Sequence, residues 1–276
     1  MSREWLKYTR DCFMIKKKEM GELSVNSIRV RGLKIGEGMP KICVPIVGKT
    51  QDEILQEAGA VVGSAADLVE WRVDWFESAF DIEKIKSLLG ELRKVLGDLP
   101  LLFTFRTKAE GGEKEITYEQ YTELLRHVAD TKLVDMIDVE IYINDKVIEL
   151  VTKLKEKGAI VIGSNHDFEG TPSKEEIIRR LCHMQGIGAD ILKMAVMPQQ
   201  QSDVATLMDA TKEMVSEYAQ HPVVTMSMSE MGIISRLEGQ LFGSAVTFGA
   251  LKKTSAPGQI NVEKLKKGLE KVNNLV

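Results

Sequence analysis

The sequence has little cysteine and no long apolar run. Its cysteines, Cys12, Cys43 and Cys182, are odd in number, widely spaced and free of any CxxC pattern. That argues against a disulfide framework and makes the reducing cytoplasm the expected compartment. No apolar stretch approaches the ~18 residues of a membrane span. Residues 1–20 are rich in charge and hold only the short apolar run 12–15, so no signal-peptide core is expected there. The formal charge of −4 gives no net field to attract nucleic acid or an anionic membrane, so neither is an expected partner. His127, His183 and His221 fall on presumed helices or before Pro222; no HExxH pairing exists and no cysteine stands at metal-site spacing. No Walker A loop or GxGxxG follows a strand. Neither a metal nor a bound cofactor is expected.

What is present is an alternation of two periodicities. The composition, 43% hydrophobic and 28% charged over 276 residues, fits an ordinary globular chain, and the length is close to the ~250 of a (β/α)8 barrel. Residues 1–26 fit none of the later pattern and read as an extension. Residues 27–36 alternate as Ile28, Val30, Leu33 and Ile35 around Gly32, a short hairpin. Apolar, β-branched runs then occur at 42–47, 68–73, 101–105, 134–139, 159–164, 191–196, 223–228 and 245–248. Their spacing is roughly the ~30 residues of a βα unit. Capping-box patterns at Thr50–Glu53, Thr117–Gln120 and Ser173–Glu176 mark helix starts between them. After Ser202 one helix face runs through Val204, Leu207, Met208, Thr211, Val215 and Tyr218, and a last helix spans about 262–276. Continuous apolar strands alternating with amphipathic helices imply an α/β fold with a parallel sheet under helices. Eight units favour closure into a TIM barrel, with residues 27–276 as a single catalytic domain. Function is then expected at the C-terminal ends of the strands.

Polar residues at those ends are the candidates. Lys193 interrupts the apolar Ile191-Leu192-Lys193-Met194-Ala195-Val196; burial there would favour a neutral, nucleophilic amine. His166 ends the preceding strand, and an imidazole can take and return a proton near neutrality. Glu70 and Arg72, two apart on one strand, share a face and either grip a substrate or neutralise each other. Arg106 ends the third strand. Glu110 follows it in a glycine-flanked turn, while Asp138 and Glu140 end the fourth, and any of the three carboxylates could orient His166. Arg236 offers a fork suited to a carboxylate. Ser255-Ala256-Pro257-Gly258-Gln259 has the small residues of a closing loop. Met226, Met228 and Met231 read as core or apolar pocket lining.

Taken together, Glu70-Trp71-Arg72-Val73-Asp74, Phe103-Thr104-Phe105-Arg106, Glu110-Gly111-Gly112-Glu113, Ser164-Asn165-His166-Asp167-Phe168 and Lys193-Met194-Ala195-Val196-Met197-Pro198 resemble the type I 3-dehydroquinate dehydratase family. The resemblance continues through Met226-Ser227-Met228-Ser229, Ser235-Arg236, Phe242-Gly243-Ser244 and the segment from Ser255 to Gln259. It implies that Lys193 forms an imine with 3-dehydroquinate and that His166 is the general acid/base with Glu110 as its partner. It further implies that Arg236 binds the substrate carboxylate, that Ser255 and Gln259 contact substrate, and that Glu70, Arg72 and Arg106 grip the ring hydroxyl side. A homodimer is also implied. Pro45 stands where some members carry a hydroxyl residue. Two other readings stay open on the residues alone: a Schiff-base aldolase, and a silent barrel that only binds.

Overall fold

The computed structural model describes residues 25–251 and 253–275. The expected extension over residues 1–26 therefore lies outside the described residues except for Val25 and Asn26.

A hairpin of β1 (Ile28–Val30) and β2 (Leu33–Ile35) comes first, with Ile28 opposite Ile35. Its turn places Arg31 in the left-handed region (φ 51°), and the Arg31 guanidinium donates to Asp135 at 2.7 Å. Val30 and Ile35 are buried in one apolar cluster with Leu68, Leu102, Met136, Ile191 and Val246, residues at the starts of barrel strands. The hairpin thus plugs the N-terminal end of the barrel.

The barrel strands are β3 (Lys41–Ile46), β4 (Leu68–Arg72), β5 (Leu101–Thr104), β6 (Met136–Glu140), β7 (Ile160–Asp167), β8 (Ile191–Val196), β9 (Val223–Ser227) and β10 (Val246–Ala250). Each pairs in parallel with the next from β3 to β9, and β10 pairs in parallel with β3. The circle closes where the Ala245 amide donates to the Val223 carbonyl at 2.8 Å beside a Val223–Ser244 bridge. A short β11 (Ile260–Asn261) adds to β10. The sheet is the barrel that the repeating pattern predicts.

Alternation along each strand decides which side chains face the centre. On β8, Leu192, Met194 and Val196 pack outward into the main core with the helices, while Ile191 and Ala195 join the inner cluster. Lys193 is therefore carried inward. The outer ring is α1 (Gln51–Val62), α2 (Ile82–Leu96), α3 (Tyr118–Thr131), α4 (Val147–Glu156), α5 (Lys174–Gly186), α6 (Gln201–Glu213), the short α7 (Ile233–Glu238) and α8 (Val262–Asn273). No helix among the described residues is long and apolar enough to cross a membrane.

The helix starts hold, with two corrections in chemistry. Thr117 and Gln120 complete a reciprocal capping box. At Thr50 and Ser173 only the hydroxyl half forms: Glu53 instead accepts from the Lys49 amide, and Glu176 is drawn to Arg179 and Arg180. The helix face predicted through Tyr218 ends its α geometry at Glu213 and finishes in a wider π turn, Met214–Tyr218.

Candidate active site

The strand ends build one narrow cavity at the C-terminal mouth, and its lining includes Glu70, Arg72, Arg106, Glu110, His166, Lys193, Arg236, Ser255 and Gln259. Those are the nine residues that the sequence nominates. Phe168, Met226, Met228 and Phe248 supply apolar wall. Met231 does not: it is 40% exposed, so the methionine cluster divides, two into the cavity and one onto the surface. Pro45, buried opposite Glu70 in the register, is not part of the lining.

Lys193 is buried, but its amine is not in the apolar setting that its strand neighbours imply. Its Nζ donates to Asp138 Oδ2 at 3.2 Å, lies 3.8 Å from Glu70 Oε1 and sits 4.8 Å from the centre of the Phe248 ring. Glu70 also accepts from the Thr104 hydroxyl at 2.9 Å. The sequence underrated Asp138. Burial opposes its charge, but Arg106, Lys193 and the Ser164 hydroxyl outweigh that and hold its carboxyl below the usual range.

Arg106 is the hub beneath the cavity. One terminal nitrogen donates to Asp138 at 2.7 Å; the other donates to Glu140 at 2.9 Å and to Ser164 at 3.0 Å and reaches Glu110 at 3.5 Å. Both terminal nitrogens are thus engaged by protein groups. Arg72 does not pair with Glu70. It forms a two-pronged pair with Asp74, 2.8 Å on each prong, which the sequence reading missed although Asp74 lies only two residues on.

The choice among three carboxylates for His166 is made by geometry. Asp138 serves Lys193 and Arg106, and Glu140 is held by Arg106 and by the amide and hydroxyl of Thr107. Glu110 reaches His166: its Oε2 lies 2.9 Å from His166 Nδ1 and accepts the His166 backbone amide at 2.9 Å. A 3-10 turn over Lys108–Glu110 aims the side chain, and Gly111 ends that turn in the left-handed region at φ 83°. A Cβ on Gly111 would also strike the Phe168 ring at 2.3 Å, so only glycine allows this turn to pack. Burial, reinforced by Glu140, raises Glu110 to about 8. Burial, then Arg106, Lys193 and Arg72, push His166 well below its ordinary value. With the carboxyl raised and the imidazole lowered, the two groups in contact hold one proton between them.

Arg236 has a different environment. It is 2% exposed, donates to the Pro257 carbonyl at 3.0 Å and to the Phe248 carbonyl at 3.5 Å, and its Nε has no hydrogen-bond partner. No salt bridge to it is formed among the described residues, and burial lowers it to about 10. A buried guanidinium without a counter-ion is a receptor for an anion.

The segment Ser255–Gln259 lies over this mouth. Ser255 gives its carbonyl to Arg72 at 3.3 Å, and its amide donates to Gln259 Oε1 at 2.9 Å. Gly258, at φ 78°, sits against the Ser229 carbonyl, which a Cβ would meet at 2.1 Å.

The sequence pattern described as type I 3-dehydroquinase matches residues 42–275. The 3-dehydroquinate dehydratase of Clostridioides difficile (strain 630) is 53% identical over 239 residues, 86% of this chain and 94% of that protein. That of Bacillus subtilis (strain 168) is 50% identical over 247 residues, 89% of this chain and 97% of that protein. Among solved structures, a type I 3-dehydroquinate dehydratase from Clostridium difficile with covalently modified comenic acid superposes with a TM-score of 0.89. It shows 50% identity and covers 91% of this chain and all (100%) of that one. A 3-dehydroquinate dehydratase from Enterococcus faecalis gives a TM-score of 0.83 at 44% identity, covering 88% of this chain and 98% of that one.

Proposed function

The chain belongs to the type I 3-dehydroquinase family, and from that premise we infer that it removes water from 3-dehydroquinate to give 3-dehydroshikimate in the shikimate pathway. The observation that carries this reading is Arg236, a buried guanidinium without a carboxylate partner that shares one cavity with Lys193 and the Glu110–His166 pair. A small keto acid satisfies both ends of that cavity: its carboxylate meets the fork and its ketone meets the amine.

The residues support the following route. The amine of Lys193, once neutral, attacks the ketone carbon; loss of that oxygen as water leaves an iminium. The iminium withdraws electrons from the neighbouring C–H bond, and His166 takes that proton through its ring nitrogen not facing Glu110. The resulting enamine pushes out the β-hydroxyl, which leaves as water with the proton held by His166. One base acting in both steps gives syn elimination. Water then hydrolyses the iminium, releasing product and restoring Lys193. Glu110 stabilises the imidazolium between the two transfers, a role for which its 2.9 Å contact is suited. A general acid/base contributes ~10²–10⁴-fold, so the imine supplies much of the remaining acceleration. The covalently modified ligand in the Clostridium difficile relative supports a covalent route.

Glu70 and Arg72 are assigned to the ring hydroxyls, with Ser255 and Gln259 closing over the substrate. Arg106, already bonded to carboxylates on three sides, is assigned to holding Asp138, Glu140 and Glu110 in place. We further propose that residues 27–276 act as one catalytic unit and that the protein works as a homodimer, as the family resemblance implies. A cytoplasmic setting is supported by the sparse, widely spaced cysteines, which form no CxxC pattern. The test of the reaction is incubation with 3-dehydroquinate while following the enone absorbance of 3-dehydroshikimate. Its appearance supports dehydration; carbon–carbon cleavage products would support the aldolase alternative instead.

A further inference from the structure

Behind the Glu110–His166 pair lies a second layer of contacts. Glu110 uses Oε2 for His166, and its other oxygen, Oε1, accepts from Asn165 Nδ2 at 3.1 Å. Asn165 Oδ1 in turn accepts from Arg180 Nη1 at 3.0 Å. Arg180 reaches in from α5 and is anchored by Asp167 at 3.0 Å and Glu176 at 2.8 Å. Asn165 is buried, and its amide has one orientation that satisfies both neighbours: a guanidinium can only donate, so the amide oxygen must face Arg180 and the amide nitrogen must face Glu110.

This orientation has a chemical effect. Oε1 faces only the Asn165 N–H, and Oε2, though it also accepts the His166 backbone amide, faces the one partner able to take a proton, ring Nδ1, so the acidic proton of Glu110, when present, sits on Oε2. There it points along the 2.9 Å contact to Nδ1. With that proton the pair is neutral and Nε2 carries a hydrogen; without it, Nδ1 donates to the carboxylate and Nε2 presents its lone pair. We propose that Asn165, held by Arg180, is a positioning residue that locks the shared proton onto the His166 side of Glu110 and sets the pH at which His166 becomes a base. The consequence for turnover rests on the dehydratase reading; the consequence for the proton does not.

The charges that bear on Glu110 are Arg106 from the end of β5, Asp138 and Glu140 from β6, Tyr142 after β6 and His166 from β7. Those on His166 also include Lys193 and Arg72. Glu140 and Asp138 favour the protonated acid, whereas Arg106 and the Asn165 donor favour the carboxylate. Removing the donor therefore moves the loss of the shared proton to higher pH.

The test is a titration of the substrate-free full chain labelled with 15N-histidine, with His166 assigned by difference against His166→Gln. The ring-nitrogen shifts report which nitrogen carries hydrogen at each pH. Asn165→Ala is expected to raise the His166 midpoint by about one pH unit. Arg180→Met leaves Asn165 in place but frees its amide to turn, and is expected to shift the midpoint in the same direction by less. In turnover, kcat/KM of Asn165→Ala at a pH below the midpoint should fall about ten-fold and recover at alkaline pH, the fold-change that a one-unit shift produces. Midpoints unchanged in both variants would overturn the proposal, as would a pH-independent loss of activity without a moved midpoint. A moved midpoint in a chain that never dehydrates 3-dehydroquinate would keep the proton inference and remove the proposed reaction.

Discussion

Replacing Arg236 with methionine separates a binding group from a structural one. Arg236 is 2% exposed and burial lowers its pKa from 12.5 to about 10. At about 1.4 kcal/mol per unit, the folded chain bears a cost of about 3 kcal/mol for holding that charge at any pH well below about 10. Methionine fills much of the same volume without the charge. It also forfeits the hydrogen bonds to Pro257 and Phe248, of which only the 3.0 Å bond is short; a bond from a charged donor contributes ~1.5–3 kcal/mol. The substrate-free Arg236→Met protein should therefore be between unchanged and about 2 kcal/mol more stable in urea denaturation. Its affinity for a carboxylate-bearing substrate should fall sharply, since losing one partner of a buried charge pair costs ~2–5 kcal/mol, roughly 30-fold to a few thousand-fold. The assay pairs denaturation midpoints with steady-state kinetics. A variant that loses several kcal/mol of stability yet keeps its KM would make Arg236 a strut and not a substrate-binding group.

Glu110→Gln should change how stability depends on pH. A carboxyl raised from 4.5 to about 8 contributes stability that is lost as pH rises through about 8, whereas His166, held below 6.5, contributes stability lost as pH falls below its ordinary value. Just below pH 6.5 the two oppose each other, whereas above it only the carboxyl acts, so the native chain should lose stability from pH 6.5 to 8 by up to about 1.4 kcal/mol per unit. The glutamine variant should be flat there, and parallel curves in thermal melts would count against a shared proton. Gly258→Ala places a Cβ 2.1 Å from the Ser229 carbonyl at a φ of 78°. It should keep Ser255 and Gln259 from seating and lower kcat/KM at least about ten-fold; unimpaired kinetics would show that the seated loop is not needed.

The barrel was legible because its strands are buried on both faces and read as apolar, β-branched runs. Their ends were less so. The run at β7 stops being apolar at Ser164, but backbone pairing with β8 continues through Asn165, His166 and Asp167, because ladder hydrogen bonds do not depend on side-chain polarity. The inward-facing charges were visible as interruptions: Glu70, Arg72 and Lys193 each break an apolar strand. Their partners were not. Glu110, Asp138 and Glu140 all follow strand ends, and only three-dimensional distance sends Glu110 to His166 and Asp138 to Lys193. Asp74 and Asn165 stand in the quoted motifs but receive no role from the sequence, because each bonds another polar side chain, Arg72 and Glu110, and not an apolar core. A carboxylate two residues after a buried arginine was the signal available for Asp74. Asn165 offered none beyond its place beside His166.

During turnover the amine of Lys193, between Asp138 and Glu70 at the barrel mouth, is expected to become bonded to the substrate's ketone carbon. Borohydride reduction during turnover of 3-dehydroquinate, followed by peptide mass mapping, tests it directly. A ligand-derived mass on the peptide carrying Lys193, absent from Lys193→Ala along with activity, is the expected result; a Lys193→Ala protein that turns over at the full rate would contradict it.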